Sequence, residues 1–235
     1  MMPISIDSLC CGYGKHQILY DVSFEAGQQI TVIVGSNGSG KSTLLKAICG
    51  LADVYSGEIS LYDKRITGLP TYKIMSMVSY MPQTNNVFGD ITIRDNLLVA
   101  SMPDKPDWNH IFEFFPMLQD RLHQKAKDLS GGQRQLLAMA MCISKKPNII
   151  LFDEPTASLS PAASNMVLEK IKEIQTALHN CIVLVEQNVK DALAIGDRCY
   201  LFAGGKKMFS GKPDVLLADK DFDSKFLGLA DDNTS

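Results

Sequence analysis

No apolar run in these 235 residues approaches the roughly 18 consecutive residues that a helix needs to cross a bilayer. The opening, Met1-Met2-Pro3-Ile4-Ser5-Ile6-Asp7, lacks the basic start and apolar stretch of an export signal. The chain is therefore expected to be soluble by itself, and any work at a membrane would need another subunit to cross it. Charge of one sign is also scarce: 23 Lys and Arg against 26 Asp and Glu leave a net charge of −3. That excludes the large positive field by which nucleic-acid binders hold phosphate backbones, so no nucleic-acid partner is expected. The four histidines, His16, His110, His123 and His179, are scattered and form no catalytic or metal cluster. The six cysteines (Cys10, Cys11, Cys49, Cys142, Cys181 and Cys199) show no metal-ligand spacing. Most sit in apolar stretches, where a reduced thiol packs as a small hydrophobe, which suits a reducing compartment. No internal repeat or low-complexity tract is present.

What the chain does have is core-forming material. A hydrophobic content of 46% over this length is enough for a full core and fits one domain. Residues 29–34 form a short β-branched run that stops at Gly35 and reads as a buried strand. Residues 41–50 favour a helix, with Leu44, Leu45 and Ile48 on one face and Gly50 as a stop. Two more buried strands are expected at 149–153 and 181–185, joined by a helix over 161–178 that starts with Pro161. Apolar runs alternating with helices point to a parallel sheet with crossover connections. From about 85 to 145 the pattern is helical, broken at Met102-Pro103-Asp104-Lys105-Pro106 and near Pro116, which reads as a helical insertion. Residues 200–209 read as closing strands around a Gly204-Gly205 hairpin turn. Residues 229–235 are expected to be a frayed tail.

Five motifs follow one another along the chain, each meeting a different need of phosphoryl transfer. Gly35-Ser36-Asn37-Gly38-Ser39-Gly40-Lys41-Ser42-Thr43 is a phosphate loop between strand and helix. Its glycines let backbone N–H groups converge on phosphate oxygens, Lys41 reaches the β- and γ-phosphates, and the Ser42 hydroxyl binds Mg²⁺. Ile149 to Phe152 ends in Asp153-Glu154, so two carboxylates stand at the sheet edge where ligands collect. There Asp153 would hold the metal through water and Glu154 would orient or deprotonate the attacking water. Leu129-Ser130-Gly131-Gly132-Gln133 opens a helix running to about Ile143, with Ser130 as N-cap and bare N–H groups that suit an anion. Gln83 and Val185-Glu186-Gln187 complete the series.

That order resembles the nucleotide-binding subunit of ABC transporters over nearly the whole length. The resemblance implies a P-loop NTPase (RecA-like) α/β core with a mostly parallel sheet, an N-terminal antiparallel β part and a helical insertion. In that division 1–84 and 146–228 form the nucleotide-binding core and 85–145 the helical part. It further implies that Tyr13 stacks on adenine, that Gln83 senses Mg²⁺ and water, and that Gln187 faces the γ-phosphate. Ser130, Gly131, Gly132 and Gln133 would contact the ATP held by the opposing protomer, so two ATPs would be sandwiched in a head-to-tail pair. The implied partners are a second ATPase subunit (identical or related), integral membrane permease subunits and, indirectly, a solute-binding protein. The implied location is the cytoplasmic face of the membrane.

Narrower echoes resemble one ATPase subunit of branched-chain amino-acid importers: Ile66-Thr67-Gly68-Leu69-Pro70, Leu159-Ser160-Pro161, Leu184-Val185-Glu186-Gln187-Asn188 and Phe209-Ser210-Gly211. Importers of urea and short amides share much of this wording. A soluble ABC ATPase is the rival class, but the chain has no long coiled-coil insertion and no second motif set. A regulatory module that does not hydrolyse is opposed by the intact Glu154. Two departures from the family stand out. Gln187 replaces the usual histidine and can donate a hydrogen bond without becoming cationic. Ser158-Leu159-Ser160 ends in serine where aspartate is common, which puts communication between the two sites in doubt. Of the Phe112, Phe114, Phe115, Met117 and Leu118 patch, most is expected to be core. The rest could line a groove for a short helix of a membrane partner.

Overall fold

The computed structural model describes residues 1–219 and Phe222, so the tail expected at 229–235 lies outside the described residues. Ile4–Tyr13 (β1) and His16–Ala26 (β2) pair antiparallel and open the chain. Ile30–Val34 (β3) leads into the helix Lys41–Ile48 (α1). Asp53–Leu61 (β4) and Lys64–Arg65 (β5) then complete an antiparallel sheet in the order β2-β1-β4-β5. The short helix Thr71–Ile74 (α2) precedes Ser79–Met81 (β6). Three helices follow, Ile93–Ser101 (α3), Trp108–Phe114 (α4) and Gly131–Ile143 (α5), with a 3-10 stretch at Pro116–Arg121. The breaks between them fall where the prolines predicted.

The chain then alternates strand and helix: Ile149–Asp153 (β7), Pro161–Leu178 (α6), Cys181–Glu186 (β8), Val189–Ile195 (α7) and Arg198–Ala203 (β9). Lys206–Gly211 (β10) and Pro213–Leu217 (α8) follow. The second sheet has the order β10-β9-β3-β8-β7-β6 and is parallel except for the β9-β10 hairpin. Both hairpin residues, Gly204 and Gly205, have positive φ (54° and 77°), as a two-residue turn requires. The fold is thus the α/β architecture with an added antiparallel sheet.

Strands β3, β7 and β8 are buried on both faces, so they read as unbroken apolar runs. Their side chains nevertheless divide by parity, because successive residues point to opposite faces. Val32, Val34, Ile150, Phe152, Ile182 and Leu184 join a core shared with α3 to α7. Ile33, Ile149, Leu151, Val183 and Val185 join one shared with α1 and the antiparallel sheet. Truncating a fully buried member such as Phe152 to alanine costs about 3–5 kcal/mol. The register pairs Val34 with Glu186 and Asp153 with Val185, so three strand ends meet at one edge. Everything that follows Val34, Asp153 and Glu186 in sequence is delivered to that edge.

In the helical stretch Phe114, Phe115 and Leu118 are buried and Phe112 and Met117 pack against the same core. Most of the aromatic and methionine patch is therefore core, as expected, with Phe112 and Met117 partly buried at its margin. A groove of about 280 Å³ with a mixed lining includes Met75, Val78 and Met141 beside Ser79, Asn86 and Lys145. It runs between β6 with its preceding turn and the outer part of α5. No helix among the described residues is long and apolar enough to cross a membrane.

Candidate active site

Glycine is required where β3 turns into α1. A Cβ at Gly35 would stand 2.1 Å from the Phe202 carbonyl oxygen on neighbouring β9. Gly40, at the N-cap of α1, has a left-handed φ of 99° and no side-chain cap, which leaves the first N–H groups of the helix free. The turn wraps a pocket of about 270 Å³ lined by Ile18, Asn37, Gly38, Ser39, Gly40, Lys41, Ser42, Thr43 and Glu154. Free N–H groups at the positive end of a helix make an anion cradle. Gly35 and Ser36 do not line the pocket; their carbonyls hold the lysine instead.

Lys41 is buried and its Nζ donates to Gly35 O at 2.8 Å and Ser36 O at 3.1 Å, with Glu154 Oε1 at 3.9 Å. Burial lowers its pKa, and the charges of Glu154, Asp153 and Glu186 work against that shift. A buried ammonium held mainly by carbonyls gains most when an anion arrives, because only then is its charge fully compensated.

Ser42 Oγ donates to Asp153 Oδ1 at 2.7 Å, so two of the three expected metal residues face each other. The other oxygen, Oδ2, accepts from the Tyr80 hydroxyl at 2.9 Å. Burial, and then the Asp153 charge, push the Tyr80 phenol far above its ordinary pKa, so it remains a donor at any physiological pH. Among the described residues no group of three or more His, Cys, Asp and Glu side chains could cage a metal. One hydroxyl beside one carboxylate at a phosphate cradle is instead the sparse donor set that suits Mg²⁺, which keeps waters and phosphate oxygens as ligands. The residues present fit the ion.

Glu154 is buried and sits in the left-handed region with φ of 49°. Its Oε2 accepts from Gln83 Nε2 at 2.6 Å and also from Gln187 Nε2. The structure thus gathers Lys41, Gln83, Glu154 and Gln187 in one cluster. Gln83, expected at the metal, is turned to Glu154 and not to Asp153 or Ser42. Tyr13 ends β1 and is 40% exposed, outside the lining of the pocket.

The segment at Ser130 behaves as a capping box. The Ser130 hydroxyl accepts from the Gln133 N–H at 3.3 Å, and Gln133 Oε1 accepts from the Ser130 N–H at 3.1 Å. Gln133 therefore stabilises the start of α5, and Ser130 and Gly131 remain exposed. None of Ser130 to Gln133 lines the phosphate-loop pocket among the described residues.

Three contributors escaped the reading of the sequence. Tyr80 braces Asp153, Glu186 accepts from Thr156 and Gln187, and Asn86 Nδ2 donates to Gln135 Oε1 at 2.7 Å, tying the segment after Gln83 to α5. Glu186 carried a usable signal, a carboxylate at the end of an otherwise apolar strand, as at Asp153. Tyr80 and Asn86 carried none, since strand register and helix packing alone bring them to their partners.

Comparisons with known proteins agree with this geometry. A family model described as ABC transporter matches residues 19–157. The chain is 41% identical over 230 residues to a probable branched-chain amino acid transport ATP-binding protein, LivF, of Archaeoglobus fulgidus, covering 95% of this chain and 98% of that one. It is 34% identical to the high-affinity branched-chain amino acid transport ATP-binding protein BraG of Pseudomonas aeruginosa, covering 96% and 99%. Among solved structures, the ADP conformation of an ATP-binding cassette of an ABC transporter matches with a TM-score of 0.85 at 23% identity, covering 96% and 98%.

Proposed function

The chain belongs to the ABC transporter family, and on that premise we propose that it is the ATP-hydrolysing subunit of an importer for branched-chain amino acids. Similarity to the archaeal and bacterial transport proteins along nearly the whole length supports the amino-acid reading. Gln187 and Ser160 are on this reading features of the subtype and do not mark lost activity. On the same reading the chain is one domain, with 1–84 and 146–228 as the nucleotide-binding core, where 220, 221 and 223–228 lie outside the described residues, and 85–145 as the helical part.

Phosphoryl transfer to water depends on alignment and charge neutralisation more than on covalent chemistry. Asn37 to Thr43 cradle the phosphates, and Lys41 leaves its carbonyl partners for the β- and γ-oxygens. Ser42 and Asp153 would hold Mg²⁺, with Gln83 sensing it, and the ion would neutralise phosphate charge. Glu154 orients or deprotonates the attacking water, held in place by the amides of Gln83 and Gln187. Tyr13 stacks on adenine once nucleotide is bound.

The observation that carries this reading is a cradle furnished by one chain on one side only: Lys41 and Glu154 line it and Ser130 to Gln133 do not. That segment, with Ser130 and Gly131 exposed at the capped start of α5, serves the nucleotide of a second ATPase subunit, identical or related. ATP then joins the two protomers, and loss of the γ-phosphate lets them part. Membrane permease subunits feel that stroke from the cytoplasmic face, through a short helix seated in the groove lined by Met75, Val78 and Met141 beside Ser79, Asn86 and Lys145. A solute-binding protein takes part only indirectly.

Phosphate release per chain, measured over a hundred-fold dilution series alongside sedimentation, tests the shared site. Specific activity should fall together with the dimer fraction. Full activity in a chain that sediments as a monomer at every concentration would overturn the proposal.

A further inference from the structure

Glu186 is a buried carboxylate at the end of β8, and nothing in the nucleotide chemistry above uses it. Its Oε1 accepts from the Thr156 N–H at 3.0 Å and the Thr156 hydroxyl at 2.8 Å. Its Oε2 accepts from the N–H of Gln187 at 3.3 Å. The two oxygens thus hold two different segments, the loop that leaves Glu154 and the peptide that carries Gln187. Because Gln187 Nε2 also donates to Glu154, a ring is closed: Glu154 to Gln187 by side chains, Gln187 to Glu186 along the backbone, Glu186 to Thr156, and Thr156 back to Glu154 through Pro155.

Two further observations say that this ring has a task. An ionised carboxylate away from an opposite charge is costly to bury, and burial raises the Glu186 pKa against the pull of its three donors. The remainder of β8 is apolar, so a hydrophobic residue would pack there at lower cost. The loop it holds is also strained, since Glu154 and Ser158 both lie in the left-handed region with φ of 49° and 62°. Ser160, where the family commonly has aspartate, is occupied as the N-cap of α6, accepting from the Ala163 N–H at 3.4 Å.

We propose that Glu186 is a positioning residue that locks Gln187, Glu154 and the loop running from Thr156 to Ser160 into one unit. A shift of that loop is thereby transmitted to the water-aligning groups. This rests on the ATPase reading above.

The test uses the full chain with Glu186→Gln, Thr156→Val and the double variant, followed by phosphate release and by titration with a fluorescent ATP analogue. Glutamine keeps the shape but turns N–H donors toward the Gln187 N–H. Turnover should fall about ten-fold in Glu186→Gln, with KM and analogue affinity within about two-fold of the unmodified chain. Thr156→Val should cost about three-fold alone and nothing further in the Glu186→Gln background. Turnover within about two-fold in Glu186→Gln overturns the proposal, as do additive losses accompanied by weakened analogue binding. If Glu186→Gln does not fold, Thr156→Val decides alone, since turnover equal to that of the unmodified chain would overturn the proposal. Phosphate release by the unmodified chain, run in parallel, separates the two failures: no release there defeats the ATPase reading itself, whatever Glu186 does.

Discussion

Replacing Glu154 by glutamine removes one charge and one proton acceptor while keeping the side chain's volume. Glu154 Oε1 lies 3.9 Å from Lys41 Nζ, both groups buried. At an effective dielectric of about 20, that separation corresponds to a Coulomb attraction of about 4 kcal/mol, the order of what Lys41 loses. The loss raises the net positive charge of the phosphate pocket by one unit, so ATP, which brings several negative charges, should bind at least as tightly. Turnover should move the other way. A positioned general base contributes typically 10²- to 10⁴-fold, or about 3–5 kcal/mol of barrier, and an amide cannot take a proton from water. The expected result is therefore a chain that binds ATP, accumulates as the ATP-bound dimer and releases phosphate at least about a hundred-fold more slowly. Sedimentation with ATP reads the dimer, and a coupled phosphate assay reads turnover. Turnover within about three-fold of the unmodified chain would refute Glu154 as the base, and weakened ATP binding would refute the charge argument.

Lys41→Ala should lose most of its phosphate affinity, because it deletes the only side-chain cation lining the cradle among the described residues; equal ATP titrations for both forms would contradict this. Gly35→Ala should lower the urea midpoint or prevent folding, since its Cβ would stand 2.1 Å from the Phe202 carbonyl, and overpacking of this kind costs about 1–3 kcal/mol or more. An unchanged midpoint would show that β3 and β9 can separate freely. Tyr80→Phe removes one of two donors on Asp153, so the Mg²⁺ concentration that half-saturates Mg²⁺-dependent nucleotide binding should rise about ten-fold, with binding in chelator unchanged. Identical Mg²⁺ titrations would remove Tyr80 from the site. Burial pushes the Cys49 and Cys181 thiols up to about 12, so at pH 8 both stay protonated in the folded protein and should alkylate only on unfolding. Equal labelling rates with and without urea would contradict their burial.

The asymmetry between what could and could not be read from the residues is instructive at particular positions. The start of the helix Pro161–Leu178 is legible in the sequence, because a proline at the first turn is a local signal. The capping box at Ser130 and Gln133 is likewise contained within four residues. The sequence places Gln83 at the metal but gives no sign that its amide N–H donates to Glu154, 71 residues away. In the patch from Phe112 to Leu118 the sequence does not say which side chains are enclosed; packing buries Phe114, Phe115 and Leu118 and leaves Phe112 and Met117 partly exposed.

By itself the order of residues determined the phosphate loop, the acidic strand end and the alternation of strand and helix. In each of these the physics acts between neighbours: glycines freeing a turn, an apolar run demanding burial, a cap closing a helix. Tertiary structure alone decided that Tyr80 braces Asp153, that Gln83 and Gln187 converge on Glu154, and that Glu186 holds Thr156. Those partners are 73, 71, 33 and 30 residues apart and meet only because β3, β6, β7 and β8 stack in one register. A hydrogen bond is directional and short in range, so it forms only once the sheet has brought its two ends within about 3 Å.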